Sequence, residues 1–100
     1  MKADRFSSKE LMLIEEFIRD RAVADNLGEK RIKKYYSNLK TLKEVFGFNF
    51  ENPTTEMIKE VVLKINSSRY KEWTKRDFRI VLRKYCRWFS KSLEQSWILR

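Results

Sequence analysis

Arg76, Arg79, Arg83 and Arg87 recur at intervals of three and four residues in the C-terminal third of the chain. On a helix this spacing lines them along one edge about three turns long. A guanidinium fork binds a phosphate or a guanine edge bidentately, where lysine offers only a point charge. A second set, Lys30, Lys34, Ser37 and Thr41, falls within about 60° on a helix that turns 100° per residue, giving a face that is polar, basic and lacks acid. Thr74 and Lys75 stand at the start of the arginine-bearing segment, where free amides and the helix dipole attract phosphate. Thr74 fits a capping or core-facing role equally well. The chemistry available to these residues is the binding of a polyanion.

Catalysis has far less to work with. The chain contains no histidine, so hydrolytic triads and most metal centres lose their usual base and ligand. The acidic residues sit within a turn or two of Lys or Arg on helical patterns, as solvated surface does. Cys86 is the single cysteine and cannot form an internal disulfide. It flanks an apolar stripe and reads as a small buried filler rather than a reactive thiol. No catalytic, metal-binding or cofactor-binding residue is expected, and the chain by itself is not expected to be an enzyme.

Charge and composition bound the rest. The 100 residues carry 23 Lys plus Arg against 14 Asp plus Glu, a net charge of +9. Residues 29–53 hold +3 of it and residues 71–100 hold +6, whereas residues 1–28 are net −1. Charge added only for solubility has no reason to segregate in this way. A chain this short holds one core, and with 2 glycines and 1 proline it lacks the turn chemistry of a many-stranded fold. Long helices with few corners are expected. No apolar run approaches a bilayer span, and one free thiol points to a reducing compartment.

Four helices follow from the periodicity. Ser7-Ser8-Lys9-Glu10 fits a capping box, and Leu11, Ile14, Phe17 and Ile18 continue a stripe over about Ser8–Asp25. Ile32, Tyr35, Tyr36, Leu39, Leu42 and Phe46 mark a second helix over about Glu29–Phe46, stopped by Gly47. Thr54 caps a third, whose buried side is Ile58, Val61, Val62 and Ile65, up to Asn66. Phe78, Val81, Leu82, Tyr85, Trp88 and Phe89 give the strongest stripe, a fourth helix over about Glu72–Ser90. Trp73 and Ile80 fall on its outward side; for Trp73, with Tyr70 nearby, anchoring the helix N-terminus is favoured over stacking on a base. The segment 91–100 either extends the fourth helix, begins a short fifth one or starts a linker. The expected fold is therefore an all-α, compact bundle of four main helices, with residues 1–90 as the domain and 91–100 as a tail or the start of an interdomain linker.

The order of signals resembles a known family. Leu27-Gly28-Glu29-Lys30-Arg31-Ile32 with Tyr35 and Leu39, then Thr54 and Ile58, then Trp73-Thr74-Lys75-Arg76-Asp77-Phe78 with Leu82, Arg83, Tyr85, Arg87 and Trp88, is similar to the core-binding domain of tyrosine recombinases and phage-type integrases. The similarity spans about residues 8–90. It departs at Gly28-Glu29, where many members have Ser or Thr, and at Lys71, where a serine cap is common. The resemblance implies a SAM-like helical module that forms one jaw of a clamp on DNA, with its second and fourth helices approaching the major groove. It also implies a separate catalytic domain for strand exchange, in DNA integration or another DNA recombination reaction.

The expected function is thus DNA binding by the core-binding domain of a tyrosine site-specific recombinase or integrase. Lys30, Lys34, Arg76, Arg79, Arg83 and Arg87 are the main candidate contacts, supported by Ser37, Thr41, Thr74 and Lys75. Double-stranded DNA is the expected partner, together with other recombinase protomers on that DNA. No cofactor, membrane or small-molecule substrate is expected, and the setting is cytoplasmic, at the nucleoid. The competing expectation is a helical protein-interaction or dimerisation module using an apolar patch of Trp73, Ile80 and Trp97, extended by Ile98 and Leu99.

Overall fold

Ser7 and Glu10 form the capping box that their spacing requires. Ser7 Oγ accepts from the Glu10 amide at 3.1 Å, and Glu10 Oε1 accepts from the Ser7 amide at 3.0 Å. From this start the computed structural model describes residues 6–98, with side chains through residue 91, as four helices and no strand. They are α1 (Ser8–Asp25), α2 (Glu29–Glu44), α3 (Thr55–Asn66) and α4 (Glu72–Ile98). The chain is all-α, as its periodicity and scarcity of turn residues require.

The corners follow local chemistry. Asn26 ends α1 in the left-handed region at φ 53°, a conformation that asparagine tolerates better than most residues. Thr54 caps α3 by accepting from the Met57 amide at 3.1 Å. α2 ends at Glu44, two residues before the expected Phe46, although Val45 still donates to Thr41 O at 2.9 Å. Gly47 then reverses the chain at φ 72°, and Phe48 N reaches back to Leu42 O at 3.0 Å.

That reversal turns the α2–α3 connection inward. Phe48 and Phe50 are fully buried, so a segment that reads as an apolar-polar connection is in fact the middle of the core. Phe48 meets Phe50 at 4.8 Å between centroids, Phe50 meets Tyr85 at 4.9 Å and Phe17 meets Tyr85 at 5.3 Å, all edge-on. Edge-on pairs add about 0.5–1.5 kcal/mol each beyond the area they bury. The Tyr85 hydroxyl donates to Phe50 O at 2.7 Å, fastening α4 to this connection. Burial pushes the Tyr85 phenol far above its ordinary range, so it stays a neutral donor.

Glu10 fastens the connection from the opposite side. Its side chain is 2 % exposed, and Oε2 accepts from Lys43 Nζ and from Phe50 N, both at 3.0 Å. One carboxylate therefore caps α1, pairs with the end of α2 and satisfies a buried amide of the α2–α3 connection. Burial pushes the carboxyl upward, but the bonds from Ser7, Phe50 and Lys43 together outweigh it and hold it below its ordinary value.

α4 is the helix on which the others converge. Trp88 Nε1 donates to Asp20 of α1 at 2.7 Å, Lys84 Nζ meets Tyr35 Oη of α2 at 3.0 Å, and Lys75 Nζ reaches the end of α3. The helix continues without a break to Ile98, so helix extension is what the segment after Ser90 does, and no separate fifth helix forms among the described residues. The side chains of Trp97, Ile98 and Leu99 lie outside the described residues.

Candidate nucleic-acid interface

α4 turns its Phe78, Val81, Leu82 and Tyr85 side into the core, which fixes the opposite side as surface. At 100° per residue Arg76, Arg83 and Arg87 fall within about 40° of one another on that surface. All three are exposed, and none makes a hydrogen bond or ion pair with a described residue. Lys91 extends the row, again exposed and without such a partner. Ile80, half-buried, sits among them. Lys30 and Arg31 at the start of α2 are likewise exposed and unpartnered among the described residues.

The expected arginine edge is not continuous. Arg79 turns a further 40° or so toward α3, and its Nη1 donates to Asn66 Oδ1 at 2.7 Å. Lys75 lies deeper, at 8 % exposure, with Nζ donating to Asn66 O at 2.9 Å and pairing with Glu72 at 3.4 Å. Its role is to close the carbonyl end of α3, where a cation complements the helix dipole. Of the expected supporting contacts, Lys75 is thus the one most engaged within the fold itself. Lys75→Ala should lower stability by about 1–2 kcal/mol, seen as a fall of roughly 5–10 °C in a thermal melt. Arg76→Ala, one residue away on the surface, should leave the melt within about 0.5 kcal/mol of wild type.

Trp73 also departs from expectation. It is 65 % exposed, and the Lys71 ammonium lies over its ring, 5.0 Å from the centroid. Tyr70 anchors the start of α4 in its place, edge-on to Phe78 at 5.0 Å and tilted against Phe46 at 6.1 Å. Thr74 is half-buried beside Trp73.

On α2 the four polar candidates share a face as their spacing requires, but they are not equally available. Lys30 and Ser37 are exposed, whereas the Thr41 hydroxyl donates back to Ser37 O at 3.1 Å. Lys34 pairs with Asp77 of α4 at 3.4 Å, so the acid missing from this face of α2 is supplied by the neighbouring helix. Lys84 lies on the same seam and pairs with Asp25 at 3.6 Å. Exposed pairs of this kind contribute little stability and exchange readily for a stronger anion.

No family model, curated protein or solved structure matches the chain. The choice of partner rests on the charge and geometry of α2 and α4. Between these helices lies an open groove of about 400 Å³, lined by Lys30, Lys34 and Lys84 among others. Arg31 and Asn38 line it as well, and neither stands among the residues that spacing selected. Arg31 hides in the sequence within the run Lys30-Arg31, and Asn38 within an otherwise apolar stripe. Burial holds the half-buried Cys86 thiol up at about 11, which leaves little reactive thiolate near neutral pH. Among the described residues no group of three or more acidic, Cys or His side chains could hold a metal ion, and no helix is long and apolar enough to cross a membrane.

Proposed function

We propose that the chain binds duplex DNA with the adjoining surfaces of α2 and α4, as the DNA-holding domain of a recombinase of the tyrosine or phage-integrase type. The observation that carries this reading is the row Arg76, Arg83, Arg87 and Lys91, exposed and without acidic partners among the described residues, beside Lys30 and Arg31 of the neighbouring helix. Like charges held together without counter-charges destabilise a fold slightly, and an external polyanion relieves that repulsion. Phosphate contacts supply most of the affinity in such an interface, and arginines that reach a groove add discrimination between bases. The order of sequence signals supports the recombinase type, and strand exchange belongs to a separate catalytic domain.

The test is the salt dependence of binding to a mixed-sequence duplex. With about six phosphates neutralised, log K should fall against log salt with a slope of about −5. A flat response, or no binding at low salt, removes this function.

A second reading is favoured by Trp73, whose 65 % exposure is unusual for so large an apolar side chain. With Ile80 it would mark a protein-binding patch, since tryptophan and arginine are both enriched in interface hot spots. Concentration-dependent association in sedimentation, abolished by Trp73→Ala and unaccompanied by DNA affinity, selects this reading over the first.

A further inference from the structure

Asn38 is the unexplained residue of the α2–α4 seam. It lies on the side of α2 that faces α4, next to the core residues Leu39 and Tyr35, and is only 8 % exposed. Its amide makes no hydrogen bond with any described residue. A carboxamide brings two donor hydrogens and an acceptor oxygen, and burying them unpaired is unfavourable. The one side-chain polar atom fully enclosed without a partner among the described residues is Arg21 Nε, so the Asn38 amide keeps access to the outside. That access is the α2–α4 groove, which Asn38 lines.

The surroundings indicate what would satisfy the amide. Lys30, Arg31, Lys34 and Lys84 line the same groove against one carboxylate, Asp77, which is itself held by Lys34 at 3.4 Å. Asp25 offsets part of the Lys84 charge from the α1 side at 3.6 Å. The balance remains positive, and the walls contributed by Ile80 and Val81 are apolar. A neutral donor low in a groove with cations around its mouth fits a tetrahedral anion, whose several oxygens accept from the amide and the ammonium groups together.

We infer that the α2–α4 groove is a phosphate seat, with Asn38 donating from its floor and Lys30, Arg31 and Lys34 closing on the anion from the rim. Lys34 exchanges Asp77 for the phosphate on binding. The seat takes a phosphodiester of the duplex backbone, and that source rests on the proposed function. Its chemistry accepts a free phosphate equally. Asn38 is then a positioning contact that sets where the duplex backbone crosses the two helices, a role the exposed arginine row cannot perform because its side chains are long and unrestrained.

The test follows the Asn38 side-chain amide resonances of the isotope-labelled chain by NMR, during separate titrations with a mixed-sequence duplex and with inorganic phosphate. Duplex affinity of Asn38→Asp is measured in parallel. The substitution keeps the shape, removes the donor and adds a repelling charge. The expected result is that the duplex shifts the Asn38 amide pair and that Asn38→Asp binds it about tenfold or more weakly. A shift with inorganic phosphate in a chain that does not bind the duplex sinks the DNA function and keeps the seat, with free phosphate compounds as its ligands. Duplex binding by the wild-type chain with the Asn38 amide unmoved, and with Asn38→Asp equal to wild type, overturns the seat and keeps the DNA function. If neither ligand moves the amide, the seat is overturned outright. The amide shifts come from the wild-type chain, so they decide the matter even if Asn38→Asp is unstable.

Discussion

Glu10→Gln should melt roughly 10–25 °C below the wild-type chain, a large loss for a substitution that keeps the shape of the side chain. The carboxylate is 2 % exposed and accepts from Ser7 N, Lys43 Nζ and Phe50 N. An amide in its place turns one acceptor oxygen into a donor. With the amide nitrogen in place of Oε2, the Phe50 amide and the Lys43 ammonium both lose their acceptor; in place of Oε1, the Ser7 amide does. Removing one member of a buried, hydrogen-bonded ion pair destabilises by about 3–5 kcal/mol. Lys43 is 24 % exposed and can turn to water, which brings the expected loss to about 2–4 kcal/mol.

The same group sets the acid limit of the fold. Its carboxyl is held below the ordinary value of 4.5, so the stability it contributes is complete above that value and disappears as pH falls through the lower, folded-state value. Wild-type stability should therefore drop on acidification below about pH 4.5, while the Glu10→Gln profile should be flatter over the same window. A variant that melts within a degree or two of wild type would show that the α2–α3 connection does not depend on Glu10.

The second large effect concerns binding. Arg83→Ala combined with Arg87→Ala should weaken duplex binding roughly 30-fold at moderate salt and make the salt slope shallower by about two. Both side chains project from the exposed side of α4 and bond to no described residue, so the melting temperature should hardly move. Arg79→Ala is the informative comparison. Its guanidinium is tied to Asn66 at 2.7 Å, and its removal should weaken binding less than the removal of Arg83 does. Equal losses at the two positions would mean that Arg79 leaves Asn66 when the duplex binds.

Periodicity made the four helices legible because each has a wide apolar stripe, and three of them have a chemical start or stop as well: Ser7 and Asn26 for α1, Gly47 for α2 and Thr54 for α3. It located the helix faces almost as well, since Phe78, Val81, Leu82 and Tyr85 fix by elimination where Arg76, Arg83 and Arg87 must lie. It could not distinguish Lys75 from Arg76. Both are basic, adjacent and near a helix start, and only the arrival of the α3 end beside α4 commits Lys75 to Asn66. Phe48 and Phe50 were hidden for a related reason. Alternation in a short connection says nothing about which side faces in until Gly47 sets the direction of the chain. Asn38 was illegible in principle, because a polar residue inside an apolar stripe gains its meaning from the helix packed against it.

The two cations engaged at Asn66 also act at a distance from their own bonds. The C-terminus of a helix carries about half a negative charge on its free carbonyls. α3 ends beside the arginine row, and its bare pole would repel a polyanion approaching that side of α4. With Lys75 on Asn66 O and Arg79 on Asn66 Oδ1, the pole is screened from within. Two side chains that look like forfeited contacts thereby lessen the negative potential that the end of α3 would set beside the arginine row.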